Sequence, residues 1–219
     1  MGKEINLLSN YPRSKRDISK RESQKTEEDR AIGRKFGKEF FDGDRKHGYG
    51  GFTYNSKYWE PVIQDFKKYY NLNSSNSILD VGCAKGFMLY DFSKAIPGIS
   101  LSGIDISEYA INNSIPEIKK LVRIANAKKL PFSDNFFDLV ISINTVHNLE
   151  QKDCADALRE IARVSKNNSF ITVDAYRNEE EKKRMLAWNL TAKTIMSVSE
   201  WKLFFEEIGY NGDYYWFIP

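Results

Sequence analysis

The stretch Ile78-Leu79-Asp80-Val81-Gly82-Cys83-Ala84-Lys85-Gly86-Phe87 runs an apolar segment into an acid and then into a turn with two glycines. Gly82 and Gly86 permit positive φ and let backbone approach a ligand closely at the carboxyl end of a strand. The turn is poorly suited to phosphate. A dinucleotide fingerprint needs glycine where Ala84 and Phe87 stand, and no Lys-Ser/Thr pair follows Gly86. Asp80 would repel an anion and suits a ligand that carries an ammonium or a sulfonium. Cys83 packs or lines the same turn. Asp105, 25 residues further on in GIDIS, can accept both hydroxyls of a ribose. A helix N-cap is the alternative for Asp105, although Ser107 can serve there instead. Asn126, between Ala125 and Ala127, offers an amide to an adenine edge, with Leu130 or Ile106 flanking the ring.

Groups that could handle a proton or hold a second substrate come next. His147 follows the run FDLVISI, just past Asn144, and a neutral imidazole can take a proton near pH 7. Its alternative is to cap the next helix or pack over the ligand. His47, in a Gly-rich loop, is a second imidazole. Asp174, Tyr176 and Arg177 fall where parallel strands open into a crevice; Arg177 can hold an anionic acceptor or form a surface salt bridge. Tyr49 and Tyr54 of GYGGFTYN can contact substrate or pack into the core, and Met185–Ser197 is expected to help roof the same pocket. Asn144 lacks the Pro-Pro-aromatic context that holds a flipped base, and no Pro-Cys pair supplies a cytosine nucleophile. These negatives weaken nucleic acid as a substrate and leave RNA as an alternative.

The elements that must position these residues are readable from periodicity. Apolar runs at 77–82, 99–105, 121–127, 137–143 and 169–176 alternate with helical patterns (FMLYDFSKAI, SEYAINNS, CADALREIARVS), the signature of a parallel sheet covered on both faces. Upstream, spacing predicts a helix over 26–41 opened by a Thr26 cap, a Gly-rich aromatic loop over 41–55, and a helix capped by Ser56. Downstream, a helix from Ser199 ends at Gly209 and precedes an aromatic strand, DYYWFI. The 219 residues suffice for one α/β domain, about 56–219, behind an N-terminal extension and cap, 1–55. Net charge is +3, and residues 1–50, with 13 Lys/Arg against 9 Asp/Glu, hold all of the excess. Acids interrupt that arm, so a solvated, partly helical segment is expected rather than a nucleic-acid grip. Two cysteines and two histidines make no disulfide framework and no metal cluster. No apolar run reaches a bilayer span and no signal peptide opens the chain, so the cytoplasm is the expected location.

Residues 77–176 resemble the class I S-adenosylmethionine (SAM)-dependent methyltransferases. ILDVGCAKG looks like the family's first motif, GIDIS its ribose-binding acid, ANAKKLPFSDNFFDLV its adenine loop and fourth strand, and ISINTVHNL its post-strand segment. The resemblance implies a Rossmann-like, mostly parallel seven-stranded sheet with helices on both faces and an N-terminal helical cap. It also implies SAM as cofactor, bound by Asp80, Gly82, Gly86, Asp105 and Asn126, with Cys83, Ala84, Ile106, Ala127 and Asn144 lining the same site. Two departures are small: Ala84 replaces the commonest Gly, and Asn126 stands where Asp is commoner. The chain is also similar to bacterial methyltransferases found with surface-polysaccharide genes, which suggests a small-molecule acceptor such as a sugar hydroxyl. An RNA methyltransferase and a SAM-binding regulator without turnover are the other expectations. The oligomeric state is not legible.

Overall fold

Ile, Leu, Val and Phe dominate β1 (Ser77–Val81), β2 (Ser100–Asp105), β4 (Phe137–Ile143) and the second half of β5 (Ser165–Tyr176), and these strands are buried on both faces. The computed structural model describes residues 2–12, 18 and 25–219; the expected solvated arm falls partly on 13–17 and 19–24, outside the described residues. Short β3 (Val122–Ile124), β6 (Met196–Ser197) and β7 (Asp213–Phe217) complete a seven-stranded sheet of order β3-β2-β1-β4-β5-β6, with β7 also beside β5. Every pairing is parallel. Parallel neighbours need crossovers, and the helices supply them. The third predicted run, 121–127, contributes only three strand residues, because the chain turns away at Asn126.

Period-two alternation divides the strand side chains between two cores. On one face Leu79, Val81, Val140 and Ile171 pack against Leu158 and Ile161 of α6 (Gln151–Val164) and Trp201 and Phe205 of α8 (Val198–Ile208). On the other, Ile78, Leu139, Ile141 and Phe170 meet Val62, Ile63 and Phe66 of α3 (Ser56–Tyr69) and Leu89 and Phe92 of α4 (Phe87–Ala95). Each fully buried Phe or Leu here contributes roughly 2–3 kcal/mol. The alternation also sets Asp80 with Ile78, Asp105 with Leu101, and Asp174 with Phe170, so all three acids share the α3/α4 face.

Upstream, the single helix expected over 26–41 is two helices, α1 (Glu27–Gly33) and α2 (Lys38–Asp42). Thr26 does cap α1, through a reciprocal capping box with Asp29. Gly33 ends it: a Cβ there would come 2.9 Å from the His47 carbonyl oxygen, and Phe36 then turns left-handed at φ 48°. The third helix begins at Ser56, but Asn55 is its cap, accepting from the Lys57 amide. Short α5 (Glu108–Asn112) is capped by Ser107. The first four residues of the 185–197 insertion are helical, as the end of α7 (Glu179–Trp188). The last helix starts from a Ser197 capping box and ends at left-handed Gly209. Lys3 and Ile5 exchange backbone hydrogen bonds with Tyr214, adding the chain start to the β7 edge. Among the described residues no helix is long and apolar enough to cross a membrane.

Candidate functional site

The turn after β1 is built by backbone. The Gly82 and Cys83 amides both donate to the Ile104 carbonyl, at 2.8 and 2.9 Å, drawing the turn across the end of β2. Three of its residues are left-handed: Gly82 (φ 87°), Ala84 (φ 50°) and Gly86 (φ 78°). A Cβ at Gly82 would collide with the Thr145 side chain, and one at Gly86 with Ile118. The Ala84 amide, thus oriented, donates to Asp105 Oδ2 at 2.8 Å, while the Ser107 amide donates to Oδ1 at 2.8 Å. Asp105 therefore lies beside the first-motif turn, with lone pairs left over for further donors.

Asp80 pairs with Gly103 of β2 and Ile141 of β4 in the middle of the sheet. It is 5% exposed, and its carboxylate makes no hydrogen bond among the described residues. Burial, and then the neighbouring Asp105 charge, push its pKa up to about 7. Burial also raises Asp105, against the Ser107, Ala84 and Ile106 amides that hold it down. The Cys83 thiol is pushed well above its ordinary value by burial and by both acids, so it is inert packing. Two adjoining carboxylates, one without a donor, fit a ligand that brings a cation and hydroxyls together.

The adenine side is partly as expected. Ile106 is 57% exposed and can cover a flat ring, whereas Leu130 is 3% exposed, inside the core, and cannot. Asn126 is exposed, and its Oδ1 accepts from the Lys128 amide at 3.0 Å, which shapes the turn and leaves the amide NH2 outward. Ala127 packs on the core edge. Asn144 is left-handed (φ 51°), and its Oδ1 accepts from the Thr172 hydroxyl at 2.9 Å, tying it to β5.

A family model described as a methyltransferase domain matches residues 79–173, the span that carries this turn, both acids and β4. Residues 79–173 are a class I methyltransferase domain. The cofactor of that domain class is SAM, and the acid pair suits its ammonium and ribose. The chain is 36% identical over 89 residues to the mitochondrial arginine-hydroxylase NDUFAF5 of Rattus norvegicus, covering 40% of this chain and 25% of that protein. It is 31% identical over 134 residues to a tRNA (carboxymethyluridine(34)-5-O)-methyltransferase of Arabidopsis thaliana, covering 60% of this chain and 31% of that one. The chain thus spans well under half the length of these curated relatives. The YcgJ protein of Bacillus subtilis shares the fold, with a TM-score of 0.54, 21% identity, and 67% and 66% of the two chains covered.

Several expected acceptor-side groups of this methyltransferase domain have other commitments. His147 is 3% exposed. Its Nδ1 accepts from the Asp174 amide at 3.1 Å, and its Nε2 lies 3.7 Å from the Asp174 carboxylate. Burial lowers its pKa against the pull of Asp174. With Nδ1 engaged and the proton on Nε2, the ring offers no lone pair, so His147 does not stand as a base. Arg177 pairs with Glu181 on α7 at 3.3 Å rather than facing the crevice, and the Tyr176 hydroxyl points to Glu200 at 3.4 Å. Tyr54 donates to Asp91 Oδ1 at 2.5 Å and accepts from Lys94 at 2.7 Å, which fixes it on α4. Tyr49, 39% exposed, packs on Phe41 and Phe52. Asp174 remains at the strand end, 7% exposed.

Residues missed from sequence bind the cap to the domain. Lys85, 6% exposed inside the first-motif turn, reaches Asp42 Oδ2 at 2.6 Å and the Phe52 carbonyl at 2.8 Å. Tyr109 also donates to Asp42 Oδ2, at 2.7 Å, and the Ser107 hydroxyl donates to the Phe36 carbonyl at 2.5 Å. At the far end Lys25 and Arg30 hold the last carbonyls of α7 and that of Asn189. The cap thus straddles the carboxyl edge of the sheet. A lysine between two motif glycines was the available signal; its partner, 43 residues away, was not.

Proposed function

We propose that this chain transfers the methyl group of SAM to a small acceptor enclosed beneath the cap, a sugar hydroxyl being the favoured class. The observation that carries the reading is the buried acid pair, Asp80 without a donor and Asp105 cradled by amides, at the ends of neighbouring strands. SAM, when bound, supplies an electrophilic methyl carbon whose sulfur leaving group departs neutral. Asp80 then faces the ammonium, Asp105 accepts from the ribose hydroxyls, Asn126 meets the adenine edge, and Ile106 covers the ring. The protein's share of the catalysis is alignment and exclusion of water. Residues 56–219 act as the transferase domain and 1–55 as its cap, and the cytoplasm is the proposed location.

A second reading, RNA as acceptor, is favoured by the tRNA methyltransferase among the relatives. Calorimetry with SAM, ATP and NAD, followed by S-adenosylhomocysteine assays on sugars, small amines and transfer RNA, tests both. SAM alone should bind tightly, and product should form with a sugar. Equal affinity for ATP would remove the reading, and turnover on RNA alone would move it to the second.

A further inference from the structure

Asp105 is clamped from two sides, and both sides also hold the cap. The Ala84 amide donates to Oδ2 and the Ser107 amide to Oδ1, each at 2.8 Å. The residue after Ala84 is Lys85, whose ammonium leaves the first-motif turn for the cap. It donates to Asp42 Oδ2 at 2.6 Å and to the Phe52 carbonyl at 2.8 Å. Ser107 serves both sides itself. Its amide holds Asp105, while its hydroxyl donates to the Phe36 carbonyl and accepts the Ala110 amide at 3.0 Å. Two residues on, the Tyr109 hydroxyl donates to the same Asp42 oxygen at 2.7 Å.

The cap is shaped to receive these groups. Asp42 Oδ1 accepts the Phe52 amide at 2.9 Å, which ties the end of α2 to residue 52 and brings that residue's carbonyl to Lys85. The Phe52 ring stacks on Phe87, the first residue of α4, with centroids 4.7 Å apart. Lys85 Nζ lies 6.0 Å from the Phe52 ring centre and 5.8 Å from that of Tyr109. Lys85 is 6% exposed and Ser107 4%, so neither makes a surface contact. An ammonium at that depth is tolerated because a carboxylate, a carbonyl and two rings replace its water. From the other side the Lys85 carbonyl accepts the Ile115 amide at 3.2 Å. Anchorage of the cap as such is supplied elsewhere too, where Lys25 and Arg30 hold carbonyls at the end of α7 and at Asn189.

We infer that Lys85 and Ser107 are positioning residues for SAM, coupling occupancy of the Asp105 carboxylate to docking of residues 36–54, an inference that rests on the ribose contact assigned to Asp105 above. Ribose hydroxyls donating to Asp105 hold its carboxylate against the Ala84 and Ser107 amides. Backbone set in that way is the backbone from which Lys85 reaches Asp42 and Ser107 reaches Phe36. Ligand and cap thus favour the same arrangement of the same two segments. Linkage makes the effect mutual: the factor by which SAM strengthens cap docking equals the factor by which a docked cap strengthens SAM binding. Both residues act through Asp105 and not on the methyl group.

Hydrogen exchange of the full chain, followed by mass spectrometry, reads the coupling without any substitution. Saturating S-adenosylhomocysteine should slow exchange over 36–54 about 10-fold, beyond any change over α8 and β7. Saturating adenosine, which carries the ribose without the methionine end, should slow the same segment. Asp42→Asn combined with Ser107→Ala breaks both tethers and removes neither amide that serves Asp105. Calorimetry should nevertheless show S-adenosylhomocysteine bound about 10-fold more weakly by that variant, and its slowing of the cap should be lost. A plain anchor would speed cap exchange in the variant and leave the Kd within about twofold of wild type. That result, or cap exchange in wild type indifferent to adenosine, overturns the coupling and leaves the SAM site in place. Should the variant not fold, the wild-type exchange decides. S-adenosylhomocysteine that fails to bind wild type removes the ribose assignment, and the coupling with it.

Discussion

Replacing Asp80 by Asn separates stability from binding. In the folded chain the Asp80 carboxyl is pushed up to about 7 from 3.8, chiefly by burial. A raised acid pKa means the native state holds the proton more tightly than the unfolded chain does, so stability is full below about pH 4. It is lost progressively as pH rises towards 7. The difference of about 3 pH units is worth about 4 kcal/mol above pH 7. Asn carries no charge to desolvate, so Asp80→Asn should match wild type in urea unfolding near pH 4. It should exceed wild type by up to about 4 kcal/mol at pH 8. The same variant should bind SAM at least about 30-fold more weakly at pH 8, for loss of a charge-assisted bond worth about 2 kcal/mol or more. In wild type, protonation of Asp80 should weaken SAM binding about 50-fold between pH 7 and pH 5, a dependence the Asn variant lacks. Equal stability of the two proteins at pH 8, or undiminished SAM affinity in the variant, would refute the reasoning.

Three further outcomes are expected. Ala84 is left-handed at φ 50°, so Ala84→Gly should stabilise the chain by about 1 kcal/mol in urea unfolding, the steric relief outweighing the added chain entropy. Asp42→Asn leaves buried Lys85 without its counter-charge; it should cost about 2 kcal/mol and speed hydrogen exchange over 38–54, and unchanged exchange there would remove the latch. Arg177→Ala, which breaks only an exposed pair with Glu181, should alter stability by less than about 0.5 kcal/mol and leave S-adenosylhomocysteine formation intact.

What was legible in the sequence is what local chemistry decides. The turn 82–86 needs left-handed backbone within a few residues of a strand, so glycines mark it, and Asp105 announces itself by ending the next apolar run. The strands were readable because burial on both faces leaves few polar residues among them. What depends on distant pairing was hidden. The helix over 26–41 ends at Gly33 and the chain turns left-handed at Phe36, where His47 and Leu190 leave no room for a side chain on residue 33, a tertiary contact that spacing cannot reveal. The hydrogen-bond partners of the two histidines were hidden for the same reason. His147 follows the right strand, yet the amide that occupies its Nδ1 belongs to Asp174, 27 residues on, and the carboxylate that orients His47 lies 18 residues back in the cap.

The central claim is spatial: neighbouring strand ends grip one ligand by its ammonium and its sugar. A crystal structure of the chain with S-adenosylhomocysteine tests it most directly. The account predicts both ribose hydroxyls within hydrogen-bond distance of the Asp105 carboxylate, with the ammonium turned towards Asp80. An adenosine bound elsewhere on the molecule, with Asp80 still facing only protein, would contradict it.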